Sequence, residues 1–526
     1  MQEERQDQLR RSVTPWGSYS WGYADVGADI FVALGLVIGV AGGASNVAFL
    51  FAGLVYVCVG LAYTELASAY PVAGGGQYFV MRGLGDFLGF MAGWAVLLDF
   101  TIDITLFAWG CVGYLSHLPV LNVLDATFHP MLHFWVVLAL IIGLALLNVV
   151  GVRESTAFNG FVSALDVFSE ALILFLGFLF TFRPELLVHS MQTGWPNTFQ
   201  LMNGISLAII SFVGLESISH AAEETNRPSS IIPRTSIALI LTILIFALAY
   251  SNLALGMQPW YPVPHDAAGH AQQFWQYLGA TQNQDKAVAV MASNIPFFGI
   301  VAAFYVPIFG ATLLLISSNS GVFGSSRIAY SMSQFQLLPS LFKRVHRKFK
   351  TPVVSIAVFC GVAAVELVFA ALQGSFGYEF LGDLYAFGAA ASYTLVFVAL
   401  IALRMNDPLT PRKFLIPLNI KLRFRGEQIY FPLVAVLGFF GIFAILVFVL
   451  ITHHIGRIAG PSWLAMGIIV YAIYRLRKGL PVFGSVRRDW QQAQVHILRN
   501  AGELELMDEL VHKLKERDPN FSVRVS

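Results

Sequence analysis

Charge is what this sequence is short of. Only 12% of its 526 residues are Asp, Glu, Lys or Arg, about half the share of an ordinary soluble domain. Against that, 56% are hydrophobic and 14% aromatic. A soluble chain must cover its interior with polar surface, and this one lacks the material to do so; a mean hydropathy of +0.67 makes lipid its solvent. Cysteine is scarce as well. Cys58, Cys111 and Cys360 share no CxxC spacing and lie in apolar runs, so neither a disulfide framework nor a zinc site is indicated. There is no surplus of either sign, with 32 Lys+Arg against 31 Asp+Glu, which leaves no footprint for a nucleic-acid partner. Enzyme signatures are missing too: Gly74-Gly75-Gly76-Gln77-Tyr78 has neither the strand, the spacing nor the lysine of a nucleotide loop. No cofactor or resident metal is expected.

What is present is a succession of apolar runs, each near the 20 residues that cross a bilayer as a helix. They fall near 23–43, 46–69, 86–115, 131–151, 157–181, 200–223, 235–257, 297–326, 351–373, 377–403, 430–452 and 459–474. The expected fold is therefore an all-α polytopic membrane protein of about twelve helices. Residues 1–22 read as a polar leader, and 475–526 as a tail with an amphipathic stretch, Leu504–Leu514, packed on the loops. With both termini in the cytoplasm, 29 of the 32 positive residues fall on the cytoplasmic side; Arg183, Lys286 and Arg457 do not.

No Lys or Arg is assigned to a span, yet Asp25, Asp29, Asp99, Asp103, Asp166, Glu170 and Glu216 are. Each costs about 2.5–3.5 kcal/mol at a helix centre on insertion scales. Asp99 and Asp103 are four apart, as are Asp166 and Glu170, so each pair leaves one face of a helix. Carboxylates clustered without basic partners bind a cation, bind a cationic substrate or hold protons. The competing explanation, snorkelling from a span end, bears most on Asp25 and Asp99 and least on Asp103, Asp166 and Glu216. A short repetition narrows the place. Val26-Gly27-Ala28-Asp29 in the first span matches Val213-Gly214-Leu215-Glu216 in the sixth. Glycines interrupting corresponding spans in two halves mark discontinuous helices with a substrate site between them, although glycine in membrane helices also serves close packing.

Family patterns accumulate from the second span onward. Leu61-Ala62-Tyr63-Thr64-Glu65-Leu66, Tyr70-Pro71-Val72-Ala73-Gly74-Gly75-Gly76-Gln77-Tyr78 and Gly89-Phe90-Met91-Ala92-Gly93-Trp94 resemble the amino acid–polyamine–organocation (APC) superfamily of transporters. Ser211 through Glu216, Asn226-Arg227-Pro228 and Ser326-Arg327-Ile328-Ala329-Tyr330 are similar to further patterns of the same group. The resemblance covers spans one to ten. It implies LeuT-type inverted five-helix repeats, here 23–181 and 200–403, a site between unwound first and sixth helices, and alternating access. Helices eleven and twelve, at 430–474, add little to it.

Departures from the pattern matter as much. Where amino acid carriers of the family have Gly-Ser-Gly-Ile, this chain has Gly27-Ala28-Asp29-Ile30. A substrate carboxylate docked there would be repelled by an ionised Asp29 by about 4 kcal/mol at 4 Å and an effective dielectric near 20. Asp166 falls where some proton-coupled relatives place a lysine that substitutes for sodium, and Ser317, Ser318 and Asn319 fall where sodium-coupled relatives supply ligands. The competing use of the Ser317 and Ser318 hydroxyls, bonding to their own helix's carbonyls, is the commoner one. A second likeness is to KUP-type potassium-uptake transporters: Tyr23-Ala24-Asp25-Val26-Gly27 is similar to their Tyr-Gly-Asp-Ile-Gly opening. Leu98-Asp99-Phe100 is similar to the start of the third helix in a related group of potassium importers, whose other ligand positions fall on Asp103, Phe107 and Val32.

The expected function is a permease for an amino acid or small organic cation, coupled to H+ or Na+, in the plasma membrane. Gly27, Ala28, Asp29, Asp103, Val213, Gly214 and Glu216 would meet substrate; Asp25, Asp166, Ser317 and Ser318 would serve the coupling ion or proton; Phe212, Tyr305 and Tyr385 would gate. Tyr63 and Glu65 read as scaffold. The alternatives are an inorganic-cation importer with Asp25 as principal ligand, and a receptor built on a transporter fold. Its partners are the small-molecule or cation substrate and membrane lipids, with oligomeric state left open.

Overall fold

In hydrocarbon every backbone N–H and C=O must find a partner within the chain, and apolar runs of this length do so as helices. The computed structural model describes residues 14–72, 74–151, 156–220, 222, 225–265, 272–424, 426–453 and 456–523. The first half holds α1 (Pro15–Val26), α2 (Asp29–Ala41), α3 (Ser45–Ala69), α4 (Gly75–Leu84), α5 (Asp86–Ser116), α6 (Pro130–Val150), α7 (Thr156–Phe180) and α8 (Pro184–Thr193). The chain continues through α9 (Thr198–Ala208), α10 (Glu216–His220), α11 (Pro228–Gly256), α12 (Phe274–Gly279), α13 (Ala287–Ser293), α14 (Gly299–Gln334), α15 (Val353–Leu372) and α16 (Gly377–Asn406). An antiparallel hairpin, β1 (Asn419–Phe424) and β2 (Glu427–Pro432), leads into α17 (Leu433–Thr452), α18 (Gly456–Arg477), α19 (Trp490–Asn500) and α20 (Leu504–Arg517).

Eleven stretches are long and apolar enough to cross a membrane, the first of them 55 residues, Pro15–Ala69. At 1.5 Å per residue that stretch would run roughly 80 Å, more than twice a bilayer core. It turns at Gly42, where φ is +53°, and so makes two crossings, α1–α2 and α3. The described residues thus hold twelve.

Three boundaries differ from expectation. The seventh span starts at Pro228 and not at 235, with Pro228 in its first turn, where a missing N–H costs nothing. The leader does not extend to residue 22, because α1 begins at Pro15 behind a Thr14 cap whose side chain accepts from Gly17 N at 3.2 Å. Ser18 and Ser20 are buried, and Ser18 meets Thr235 at 3.2 Å; small hydroxylated residues here line a helix contact instead of facing water. Residues 1–13 lie outside the described residues. Likewise α14 runs on to Gln334, beyond 326. Its last turns carry buried serines, and Ser325 and Ser326 donate to the carbonyls of Val322 and Phe323 at 3.1 and 2.9 Å.

The core centres on α5, buried along most of its length against α14 and α16. Span twelve is joined to it by a stacked indole pair, Trp94 and Trp463, with ring centroids 4.8 Å apart. Each indole N–H donates to the other residue's carbonyl at 2.8 Å. The tail folds back onto one face of the bundle. Val495 and Leu498 of α19 pack on Leu506, Leu510 and Leu514 of α20. Gln494 donates to Ala69 O at 2.9 Å and accepts from Arg82 at 2.6 Å, while Arg475 and Arg488 enclose Asp86 at 3.2 and 2.5 Å.

Lys286, one of the three exceptions in the charge count, is buried in an ion pair with Asp125 and donates to Ser116 Oγ at 3.2 Å. Burial would raise the Asp125 carboxyl, but the hydrogen bond and charge of Lys286 outweigh it and hold the group below its ordinary value. Nearby, burial pushes Asp285 up to about 6 against the pull of Lys286. Burial, with Lys286 adding to it, holds the His117 imidazole down at about 4.

Breaking a buried pair by removing one partner costs about 3–5 kcal/mol. Lys286→Met is therefore expected to lower the unfolding temperature of the purified protein sharply, with K286M/D125N recovering most of the loss. The two shifted groups oppose one another in pH. On acidification the raised Asp285 sheds its charge and adds stability as pH falls through about 6. His117, neutral when folded, loses stability as pH falls below its unfolded value near 6.5. Asp285→Asn should therefore steepen the decline in thermal stability between pH 7 and 4; a decline no steeper than wild type counts against this assignment.

Candidate functional site: carboxylates between two interrupted spans

The two interruptions are unequal. At the first, Gly27 and Ala28 separate α1 from α2 yet keep right-handed helical dihedrals, φ −62° and −70°. The ladder is disturbed only locally, with Phe31 N bonding Ala28 O at 3.1 Å. At the second, α9 tightens into a 3₁₀ turn over Ile209–Phe212, Val213 is extended, and Gly214 takes φ +100° before α10 begins at Glu216. Only glycine suits Gly214: that φ is costly for any side chain, and a Cβ there would lie 3.0 Å from Asp25 Oδ2. The expected unwinding is thus pronounced in the sixth span and shallow in the first.

Asp25, Asp29, Asp99, Asp103 and Glu216 are all buried, Asp25 the most exposed at 6%. They act electrostatically on one another as like charges. Asp25 and Asp99, the two most open to the snorkelling explanation, do not snorkel. Ser217 Oγ donates to Asp25, and Tyr393 OH donates to Glu216 Oε2 at 2.7 Å. Tyr385 OH lies 3.5 Å from Asp103 Oδ1, whose other oxygen faces the α14 backbone at Gly321. Among the described residues neither oxygen of Asp29 has a hydrogen-bond partner, nor does Asp99 Oδ1. Among the described residues no Lys or Arg pairs with any of the five.

Asp166 and Glu170 form a separate pair where α7 meets α1. Tyr23 OH donates to Glu170 Oε2 at 2.5 Å. Asp166 lines a small crevice with Ala24, Ser163, Leu313 and Ile316, and its Oδ1 is unpartnered. Tyr305 stands beside this pair, its hydroxyl 2.5 Å from Ser169 Oγ and its ring stacked on Phe309 at 5.3 Å. The other two gating candidates flank the central acids: Phe212 stacks on Tyr56 at 5.0 Å, and Tyr385 meets Phe107 edge-on at 6.0 Å.

Ser317 reaches the central group, donating to the backbone carbonyl of Asp25 at 3.3 Å. Ser318 is spent on packing, with its hydroxyl on Ile104 O at 2.8 Å, and Asn319 accepts from Asn148 at 2.6 Å. Glu65 is bound by Arg404 and lies 3.6 Å from Arg412; Tyr63 packs edge-on against Tyr393 at 5.7 Å. Three polar residues at these helix contacts went unread in the sequence. Ser217 and Tyr393 carry no local signal. Glu366, which accepts from Thr101 at 2.8 Å and has Oε2 unpartnered, was legible as a lone acid in the apolar run of span nine.

Comparison with known proteins agrees with this architecture. The family model described as amino acid permease matches residues 18–474. The branched-chain amino acid permease BcaP of Bacillus subtilis is 26% identical over 463 residues, 86% of this chain and 90% of the relative. The methylthioribose transporter of the same organism is 25% identical over 475 residues, 86% of this chain and 91% of its own length. The low-affinity putrescine importer PlaP of Escherichia coli is 24% identical over 385 residues, 71% of this chain and 76% of the importer. The matched region runs from the first span into the twelfth, and the chain belongs to the amino acid permease family.

Proposed function

We propose that this protein is a secondary active transporter, moving an amino acid or small organic cation by alternating access with a proton or sodium gradient as its driving force. Asp29 is the observation that carries this reading. It is wholly buried, both its oxygens are unpartnered among the described residues, and it stands at a helix break among four other acids. A carboxylate so placed is costly unless a cation or proton completes it during part of the cycle. An ammonium group offers three donors and a positive charge to Asp29, Asp103 and Glu216. The backbone released at Val213 and Gly214, with Gly27 and Ala28 opposite, would receive the rest of the substrate.

Relatives at similar identity bear the names of a branched-chain amino acid, methylthioribose and putrescine as cargo. The family thus supports a small-molecule cargo, and Asp29 favours an amine-bearing one. Asp166 would carry the coupling proton, while Asp25 with Ser317 would hold a coupling cation. Phe212 and Tyr385 would close over the central acids, with Tyr305 closing over the Asp166 pair. Both termini would face the cytoplasm from the plasma membrane. The oxygens gathered at Asp25, from its carboxylate, Ser217 and the carbonyl met by Ser317, favour a second reading as an inorganic-cation importer.

In proteoliposomes, Asp29→Asn should raise KM for an amine substrate about tenfold or more, the worth of one hydrogen bond to a charged group, with little change in unfolding temperature. Unchanged KM for every transported amine, or rubidium flux exceeding amine flux in the same vesicles, decides against the first reading. Asp166→Asn is expected to abolish gradient-driven accumulation while exchange of labelled for unlabelled substrate continues; accumulation at the wild-type level refutes its role.

A further inference from the structure

A cleft of ≈ 670 Å³ opens between the start of α11 and the turn that joins α19 to α20. Arg227 and Arg234 line it from the bundle, Arg499 from the tail, and Asn226, Ser230 and Asn500 contribute neutral polar groups. Among the described residues no acidic one lines it. Glu503, next after the lining Gly502, directs its carboxylate to Ser229, whose N and Oγ donate at 3.0 and 2.5 Å, and to Lys413 at 3.5 Å.

The contrast with other arginines of the protein is the telling point. Arg82 is matched by Asp407, Arg404 by Glu65, and Arg475 and Arg488 by Asp86. Among the described residues no carboxylate pairs with Arg227, Arg234 or Arg499. Arg227 also takes left-handed dihedrals, φ 42° and ψ 61°, an arrangement that costs energy and collects at ligand clamps. Three exposed guanidinium groups around one hollow repel one another until an anion arrives, and their planar forks match phosphate oxygens.

We propose that this cleft binds a phosphate-bearing anion, which fastens the tail to the start of α11. Phosphate of this kind comes from a soluble source, such as a nucleotide, or from an anionic lipid headgroup beside the bundle. The proposal does not depend on the transport reading, since none of its residues belongs to the central or lateral acids.

The test uses the full chain. In one arm, protein in phosphatidylcholine nanodiscs is titrated with ATP and with inorganic pyrophosphate while its unfolding temperature is followed. In the other, protein extracted from phosphatidylglycerol-containing membranes is weighed by native mass spectrometry for retained lipid. A saturable signal is expected in one arm. It should weaken about tenfold or more in R227Q/R234Q/R499Q and persist in K343Q/R347Q, two exposed basic positions outside the cleft. A response to ATP or pyrophosphate identifies the soluble source, and retained phosphatidylglycerol the lipid. No signal in either arm, or equal signals in wild type and the triple variant, overturns the proposal. The substituted side chains are exposed, so folding should be intact, and R499Q alone, removing the tail's only arginine in the cleft, should weaken the signal in the same arm.

Discussion

Lipid cannot solvate a carboxylate, and the protein meets that constraint in two distinct ways. Toward the span ends several buried acids have a cation of their own: Glu65 holds Arg404, Asp86 holds Arg475 and Arg488, and Asp125 holds Lys286. In the middle of the bundle the acids stand against one another with hydroxyls for company, and Asp29 lacks even those. Paired acids fasten helices together. Unpaired ones, Asp29 and its neighbours, lie beside the interruptions of the first and sixth spans, where a buried charge is costly unless a proton or cation completes it.

Glycine geometry and charge act together at that point. The positive φ of Gly214 lets the sixth span leave its helical ladder, and the missing side chain lets Asp25 lie against the freed backbone. A Cβ at Gly214 would disturb both the turn and the carboxylate. The first span contributes its acids with almost no unwinding, since Gly27 and Ala28 remain helical in their dihedrals. The asymmetry puts most of the exposed backbone on the second half and most of the charge on the first.

Much of this was readable beforehand because lipid enforces a simple code. A span needs about 20 apolar residues, and nine of the twelve expected runs lie within a few residues of the observed helices at both ends. Two of the misses share a cause: Ser18, Ser325 and Ser326 look like loop residues but bury their hydroxyls on a neighbouring helix or their own carbonyls. The acids of the site were legible as charges out of place. Their grouping was not: spacing by four joins Asp166 to Glu170 correctly, but nothing in the sequence separates that pair from the central five. Ser217 and Tyr393 were invisible for the same reason, since their importance lies in a contact across the bundle.

The reciprocal indole clasp between Trp94 and Trp463 bears on how the last two spans belong to the whole. They lie beyond the ten helices that the family resemblance emphasises and look expendable on that ground. Yet each indole N–H donates to the other residue's carbonyl, so trimming the chain after α16 would leave the Trp94 indole N–H of α5 without that acceptor in hydrocarbon. The terminal helices therefore ride with the central helix as cargo strapped to a mast, and any rocking of the bundle carries them along.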